Sequence, residues 1–279
     1  MSMKKFAPYS LILLSSAMLL SGCSTDKRVD PETLAIQKER PAEQIYAEAM
    51  AAYKEGEFQK AGKLFDEVER QHPYSDYATQ AQLKSAQAAY ENVRYDEAIV
   101  ALDRFIELHP GHENVDYAYY LKALCYYEQI TDVARDQQMT KSALEALTVV
   151  IDRFPDSQYR RDAEFKRDLA TDHLAGKEME IGRYYLRTGE VNAALNRFRM
   201  VIKDYQTTTH TPEALHRLVE GYTILGLKDE ATRVAAVLGY NYPGSRWYKD
   251  SYDLLDPAQK AKIANKEGFM DRTIGSLLK

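Results

Sequence analysis

One short motif recurs along this chain and limits what it can fold into. An alanine is followed four positions later by a large apolar residue at Ala61/Phe65, Ala98/Leu102, Ala143/Leu147 and Ala194/Phe198, and a degenerate fifth copy has Ala235 four after Ala231. The five leading alanines lie 37, 45, 51 and 37 residues apart. Residues four apart share one face of a helix, so the alanine lets two helix backbones approach closely and the larger residue fills the space below it. The copies run on to Pro73, Pro110, Pro155 and Pro243, with Gln206 in the fourth place, and each of these follows a His, Phe or Tyr. Proline cannot continue a helix, so the motif marks the second half of a repeating helical unit.

The first copy displays the whole unit. In Ala42 to Pro73, AEQIYAEAMAAYKEGEFQKAGKLFDEVERQHP, the apolar Ile45, Ala49, Ala52 and Tyr53 precede Gly56, and Phe58, Ala61, Leu64, Phe65 and Val68 follow it, both sets at helical spacing. Two amphipathic helices joined at Gly56 resemble a tetratricopeptide (TPR) repeat, whose uninterrupted period is about 34 residues. The expected fold is therefore all-α, a right-handed α-solenoid of five TPR-like helix pairs with C-terminal capping helices.

Departures from the period mark the organisation. Repeat two is expected from near Thr79 to Pro110, and TDVARDQQMT at Thr131 to Thr140 lengthens the connection inside repeat three. Ser157 to Arg187 lacks proline and reads as one long helix or two nearly continuous ones feeding repeat four. Repeat five spans about Pro212 to Pro243 with its turn at Gly226, Arg246 to Leu255 reads as a cap, and Asp256-Pro257 opens a last helix through Lys266. The tail beyond Gly268 is apolar enough to dock and equally readable as disordered. The resulting segments are 1–22, a signal peptide; 23–40, a polar tether; 41–156, repeats one to three; 157–245, the long helix with repeats four and five; and 246–279, caps and tail.

At the N-terminus, Lys4 and Lys5 precede an apolar run from Leu11 to Leu20 that is too short to span a bilayer as a mature helix, the pattern of an export signal. Leu20-Ser21-Gly22-Cys23 resembles the bacterial lipoprotein cleavage box, which implies that Cys23 becomes the first residue and carries a diacylglyceryl group and an N-acyl chain. An ordinary signal peptide with a chance cysteine is the alternative. Ser24, where Asp would retain the protein at the inner membrane, implies the periplasmic face of the outer membrane. If Cys23 is acylated, Cys125 has no partner for an intramolecular disulfide, and its place in repeat three suits burial.

The formal charge is -5, or -7 once a leader containing Lys4 and Lys5 is gone, and there is no basic block, so nucleic acid is a poor partner. No Gly-rich phosphate loop, Gly-x-Ser-x-Gly elbow or His-Glu-x-x-His site occurs, and His72 and His109 sit in equivalent places before repeat prolines. These absences argue against an enzyme and against a metal or cofactor other than the lipid. Tyrosine is the outlier, with 21 copies. An amphipathic aromatic serves both helix seams and peptide-binding surfaces.

The lipoprotein leader, polar tether, five repeats and Tyr-rich N-terminal half together resemble the BamD family, lipoproteins of the machinery that inserts β-barrels into the outer membrane. The more specific stretches are DRFIELHPGHENVDYAYY, Asp103 to Tyr120, and FPDSQY, Phe154 to Tyr159. The resemblance implies a scaffold that engages C-terminal targeting segments of unfolded outer-membrane proteins with its N-terminal repeats, and the barrel component BamA, with other components of the machinery, through its C-terminal ones. In TPR arrays, positions 2, 5, 9 and 12 of each first helix face the groove, which nominates Tyr46, Met50, Tyr53, Leu83, Tyr90, Tyr117, Tyr120, Leu124 and Tyr127 for peptide binding. The same residues suit packing against neighbouring helices. Met179, Arg183, Leu186 and Arg187 give repeat four a more cationic groove, and its second helix is expected to expose Arg197, Arg199 and Lys203; Arg183, Arg187, Arg197, Arg199 and Lys203 are the nominated partner-binding set, with plain solvation as the alternative. A pilotin-type TPR lipoprotein for secretin or pilus assembly, and a cell-wall enzyme or its activator, remain as other classes.

Overall fold

A computed structural model describes residues 40–264, and among these every regular element is an α-helix. The leader, Cys23, most of the tether and the tail from residue 265 lie outside the described residues. Five helix pairs follow in order: α1 (Ala42–Lys54) with α2 (Phe58–Gln71), α3 (Asp76–Glu91) with α4 (Tyr95–Leu108), α5 (Val115–Tyr127) with α6 (Gln138–Arg153), α7 (Arg160–Arg187) with α8 (Val191–Asp204), and α9 (Thr211–Ile224) with α10 (Lys228–Asn241). Two shorter helices close the array, α11 (Arg246–Leu254) and α12 (Pro257–Ala264). The all-α array of five TPR-like pairs with C-terminal capping helices is thus the observed fold.

The recurring alanine motif is the seam. Ala61, Ala98, Ala143, Ala194 and Ala231 are all fully buried, as are the residues four later, Phe65, Leu102, Leu147, Phe198 and Ala235. A third position completes each stripe seven residues after the alanine: Val68, Phe105, Val150, Val201 and Leu238 have no exposed surface either. Each of these carbonyls accepts the backbone N–H four residues on, from His72, His109, Phe154, Tyr205 and Tyr242. Those five residues share one non-helical terminal geometry, with φ from -125° to -135° and ψ from 33° to 65°, and a following proline crowds the preceding residue out of the helical region. Tyr205, followed by Gln206, reaches it without proline. The carbonyls of all five then accept N–H groups three residues on, at Ser75, His112, Ser157, Thr208 and Ser245. One turn geometry therefore joins successive pairs.

Inside the pairs, Gly56, Gly189 and Gly226 take positive φ of 79°, 85° and 72°. Each ends its helix in a Schellman arrangement, as where Glu57 N–H reaches the Ala52 carbonyl and Gly56 N–H the Tyr53 carbonyl. Repeat two makes the same bonds with Val93 at φ 60°, a β-branched residue in the left-handed region. Val93→Gly is expected to raise the stability of this pair by about 1 kcal/mol, the relieved strain less the added chain entropy. A higher urea midpoint with unchanged slope would register it, and a fall would show that Val93 is unstrained.

Some boundaries differ from those read off the sequence. Helix α3 begins at Asp76 rather than near Thr79, because Ser75 Oγ accepts the Ala78 N–H and caps it there. The connection lengthened in repeat three is Glu128 to Gln137, and Gln138 to Thr140 already belong to α6. Buried Gln137 staples this loop by donating to the carbonyls of Asp132, Val133 and Arg135. The stretch after Pro155 is one helix of 28 residues. Its N-terminal part completes the core of repeat three through Ala163, and its C-terminal part enters the next core through Ala175 and Met179.

The caps are tied down by polar contacts. Ser245 Oγ accepts from Trp247 and Tyr248 N–H at the start of α11. At α12, Asp256 Oδ1 accepts the Gln259 N–H while Gln259 Oε1 accepts the Asp256 N–H, a reciprocal capping box. The remaining residues of the expected last helix, 265 and 266, lie outside the described residues.

Candidate binding faces

The first helices adjoin one another, α1 touching α3, α3 touching α5 and α5 touching α7, so side chains on their shared side form one layer across four repeats. Tyr53 packs edge-on against Phe58 at 5.3 Å, lies under the Lys84 ammonium, and donates its hydroxyl to Glu91. Tyr90 leans on Tyr95 at 5.7 Å. Tyr117 lies 5.3 Å from Tyr159, and Tyr120 stacks on the same ring at 4.8 Å and 15° while its hydroxyl donates to Asp162. Burial pushes the Tyr53 and Tyr90 hydroxyls up to about 12, helped by Glu91 at Tyr53 and by Glu128 at Tyr90. Tyr117 is raised further, first by burial and then by the fields of Tyr53, Tyr159, Glu91 and Tyr90, so these groups lie close together. All of these hydroxyls stay protonated at neutral pH and are donors.

The other nominated residues divide. Leu83 is 7% exposed and belongs to the core of repeat two, a correction to its place on a groove. Tyr46 packs against Phe65 at 5.6 Å and Tyr77 at 5.4 Å, and Met50 against the same core, so both shape the first pair. Leu124 is half-buried on the core of repeat two, and Tyr127 flanks that of repeat three with the Lys166 ammonium 5.5 Å above its ring. Tyr159 was missed because it stands in a turn, where helical spacing says nothing. Its place in FPDSQY was the only signal.

The cationic set also changes. Met179 is fully buried, and Leu186 packs on the same core. Arg183 forms a bidentate pair with Glu213 at 2.9 and 2.7 Å, and Arg197 pairs with Glu178 at 2.9 Å. Arg199 donates to the Tyr222 hydroxyl and to Asn196. All three arginines tie helices together; Arg197 is spent on an internal ion pair, contrary to the expectation of a free charge, whereas Arg199 is exposed as expected and has only neutral partners. Arg187 and Lys203 are exposed and have no ion-pair partner among the described residues.

Cys125 is fully buried and burial pushes its thiol up to about 12, which leaves it protonated and unreactive. Among the described residues no cluster of His, Cys, Asp and Glu is arranged to hold a metal ion, and no helix is long and apolar enough to cross a membrane.

A family model described as outer membrane lipoprotein (YfiO) matches residues 38–238. The outer membrane protein assembly factor BamD of Caulobacter vibrioides is 48% identical over 240 residues, 86% of this chain and 78% of that one. The factor of the same name from Rickettsia prowazekii is 43% identical over 243 residues, 87% of this chain and 94% of that one. Among solved structures, a thermophilic TPR protein of Thermus thermophilus is similar at a TM-score of 0.36 and 18% identity, covering 80% of this chain and 98% of that one.

Proposed function

Because the chain belongs to the family of outer-membrane lipoproteins named outer membrane protein assembly factor BamD, we propose that it serves outer-membrane protein assembly by holding polypeptides, without transforming them. The tyrosine layer of repeats one to three would receive C-terminal targeting segments of unfolded outer-membrane proteins. Repeats four and five would carry the contact with the barrel component BamA. Acyl chains on Cys23 would anchor the chain at the periplasmic face, with the polar tether as spacer. The pilotin alternative is not favoured, since the relatives reported are assembly factors.

The observation that carries this reading is the run of partly buried tyrosines, Tyr53, Tyr90, Tyr117 and Tyr120, on adjoining first helices with their hydroxyls protonated. Ring faces suit the aromatic and aliphatic side chains of a barrel strand; the Tyr90 and Tyr117 hydroxyls can donate to its carbonyls, while those of Tyr53 and Tyr120, whose protons go to Glu91 and Asp162, can accept its N–H groups. A photoreactive p-benzoylphenylalanine in place of Tyr90 should capture a peptide copied from a barrel protein's C-terminus. The same group at Tyr240, which is 67% exposed on α10, should not. Equal capture at both positions would sink the assignment.

For the BamA contact, Arg187 and Lys203 are better probes than Arg197, whose reversal would break the internal pair with Glu178. The double variant R187E/K203E is expected to reduce copurification with BamA severalfold at an unchanged melting temperature. Undiminished recovery would move that contact elsewhere.

A further inference from the structure

We propose that a second site, the cleft between the α5–α6 loop, α7 and the start of α9, takes the side chain of an arginine from an extended partner polypeptide. It does not depend on the tyrosine layer as a binding face.

The cleft has a volume of about 760 Å³. Two of its lining residues each hold a buried polar atom without a hydrogen-bond partner, His173 Nε2 and Glu180 Oε2. They come from residues seven apart on α7, hence from one side of the helix two turns apart. Buried polar atoms are nearly always satisfied, and an orphaned carboxylate oxygen on a residue that lines a cleft is accounted for by a ligand that supplies a donor.

The charge balance says which donors. Glu128, Asp172 and Glu180 line the cleft, and Arg183 is the only Lys or Arg among the lining residues. Arg183 is already held bidentately by Glu213, and its guanidinium makes no hydrogen bond to Glu180. Nearby ammonium groups are committed as well, Lys177 donating to the Ala134 carbonyl and Lys166 pairing with Asp162. Asp172 spends Oδ1 on the N–H and hydroxyl of Thr209, and its Oδ2 lies 3.6 Å from His210 Nε2. Arg183 stands within the field of Glu180 but is shared with Glu213, so three carboxylates against one guanidinium leave the lining of the cleft net anionic.

The walls select the stem that carries the cation. Ile130, Val133 and Leu169 form apolar sides, suited to the methylenes of a long basic side chain. A side chain on Gly176 would begin 3.1 Å from His210 Nε2 and 3.5 Å from Val133, so the glycine keeps the floor open. A carboxylate such as Glu180 is met by two parallel N–H groups of a guanidinium, a geometry that a compact ammonium lacks. One turn before Leu169, Phe165 is 61% exposed and offers an apolar landing for the neighbouring residue of the partner.

The test uses the full-length protein in detergent micelles at pH 8 and low salt, with two labelled, end-blocked heptapeptides. One carries a central Leu-Arg and the other a central Leu-citrulline, which has the same shape without the charge. The arginine peptide is expected to bind at least tenfold more tightly by fluorescence anisotropy. Glu180→Gln should abolish that preference at an unchanged melting temperature. Glu128→Gln, at an exposed position that lines the cleft, should reduce it severalfold and keeps the test alive if Glu180→Gln fails to fold. Tyr53→Ala should leave it intact. Equal binding of the two peptides, an arginine preference that survives both carboxamide substitutions, or its loss in Tyr53→Ala would each overturn the proposal.

Discussion

Phe198→Ala is expected to destabilise the C-terminal half of the array by about 3–5 kcal/mol, the usual cost of deleting a buried phenyl ring. Phe198 is fully buried at the meeting of α7 and α8, and its ring lies so close to Gly182 that a Cβ there would fall 2.4 Å from Cε1. The ring thus rests on bare helix backbone, and α7, a continuous helix of 28 residues, cannot bend locally to fill the hole. The loss should stay local. Phe198 belongs to a core shared by repeats four and five with the caps, whereas repeats one to three have separate cores, and in repeat arrays each unit depends chiefly on its neighbours. Hydrogen exchange should accelerate from Val191 to Asn241 and remain slow from Ala42 to Leu108. Uniform acceleration would mean that the array unfolds as one unit.

The second large effect concerns the tyrosine layer. Replacing Tyr53, Tyr90 and Tyr120 together by Ala is expected to weaken crosslinking to barrel C-terminal peptides at least tenfold, while association with BamA persists. None of the three is fully buried, so their removal thins a face more than it opens a core. The corresponding triple Phe variant separates ring from hydroxyl. It keeps the stack of residue 120 on Tyr159 and removes the bonds to Glu91 and Asp162, and should lose only part of the binding. Equal loss of peptide and BamA in the Ala variant would indicate a folding defect and remove support for two separate surfaces. Full binding by the Ala variant would end the assignment of the layer.

The helix pairs were legible because their causes are local. Apolar residues at helical spacing, a small residue on the seam, and glycine or proline at the breaks act within a few turns of chain, so repeat number and the alanine seam follow from composition and order alone. Val93 escaped this logic: nothing in its side chain favours positive φ, and the bonds of the closing turn hold it there. The candidate sites depended on tertiary contacts. Leu83 and Tyr90 both fall at groove-type positions of α3, yet neighbouring helices bury one and leave the other partly open. Arg183 and Arg197 read as surface cations until the fold brings up Glu213 and Glu178, 30 and 19 residues away. The cleft at Glu180 is assembled from three separated segments, and the pairing of its neighbours, which leaves one carboxylate oxygen without a donor, exists only once those segments meet.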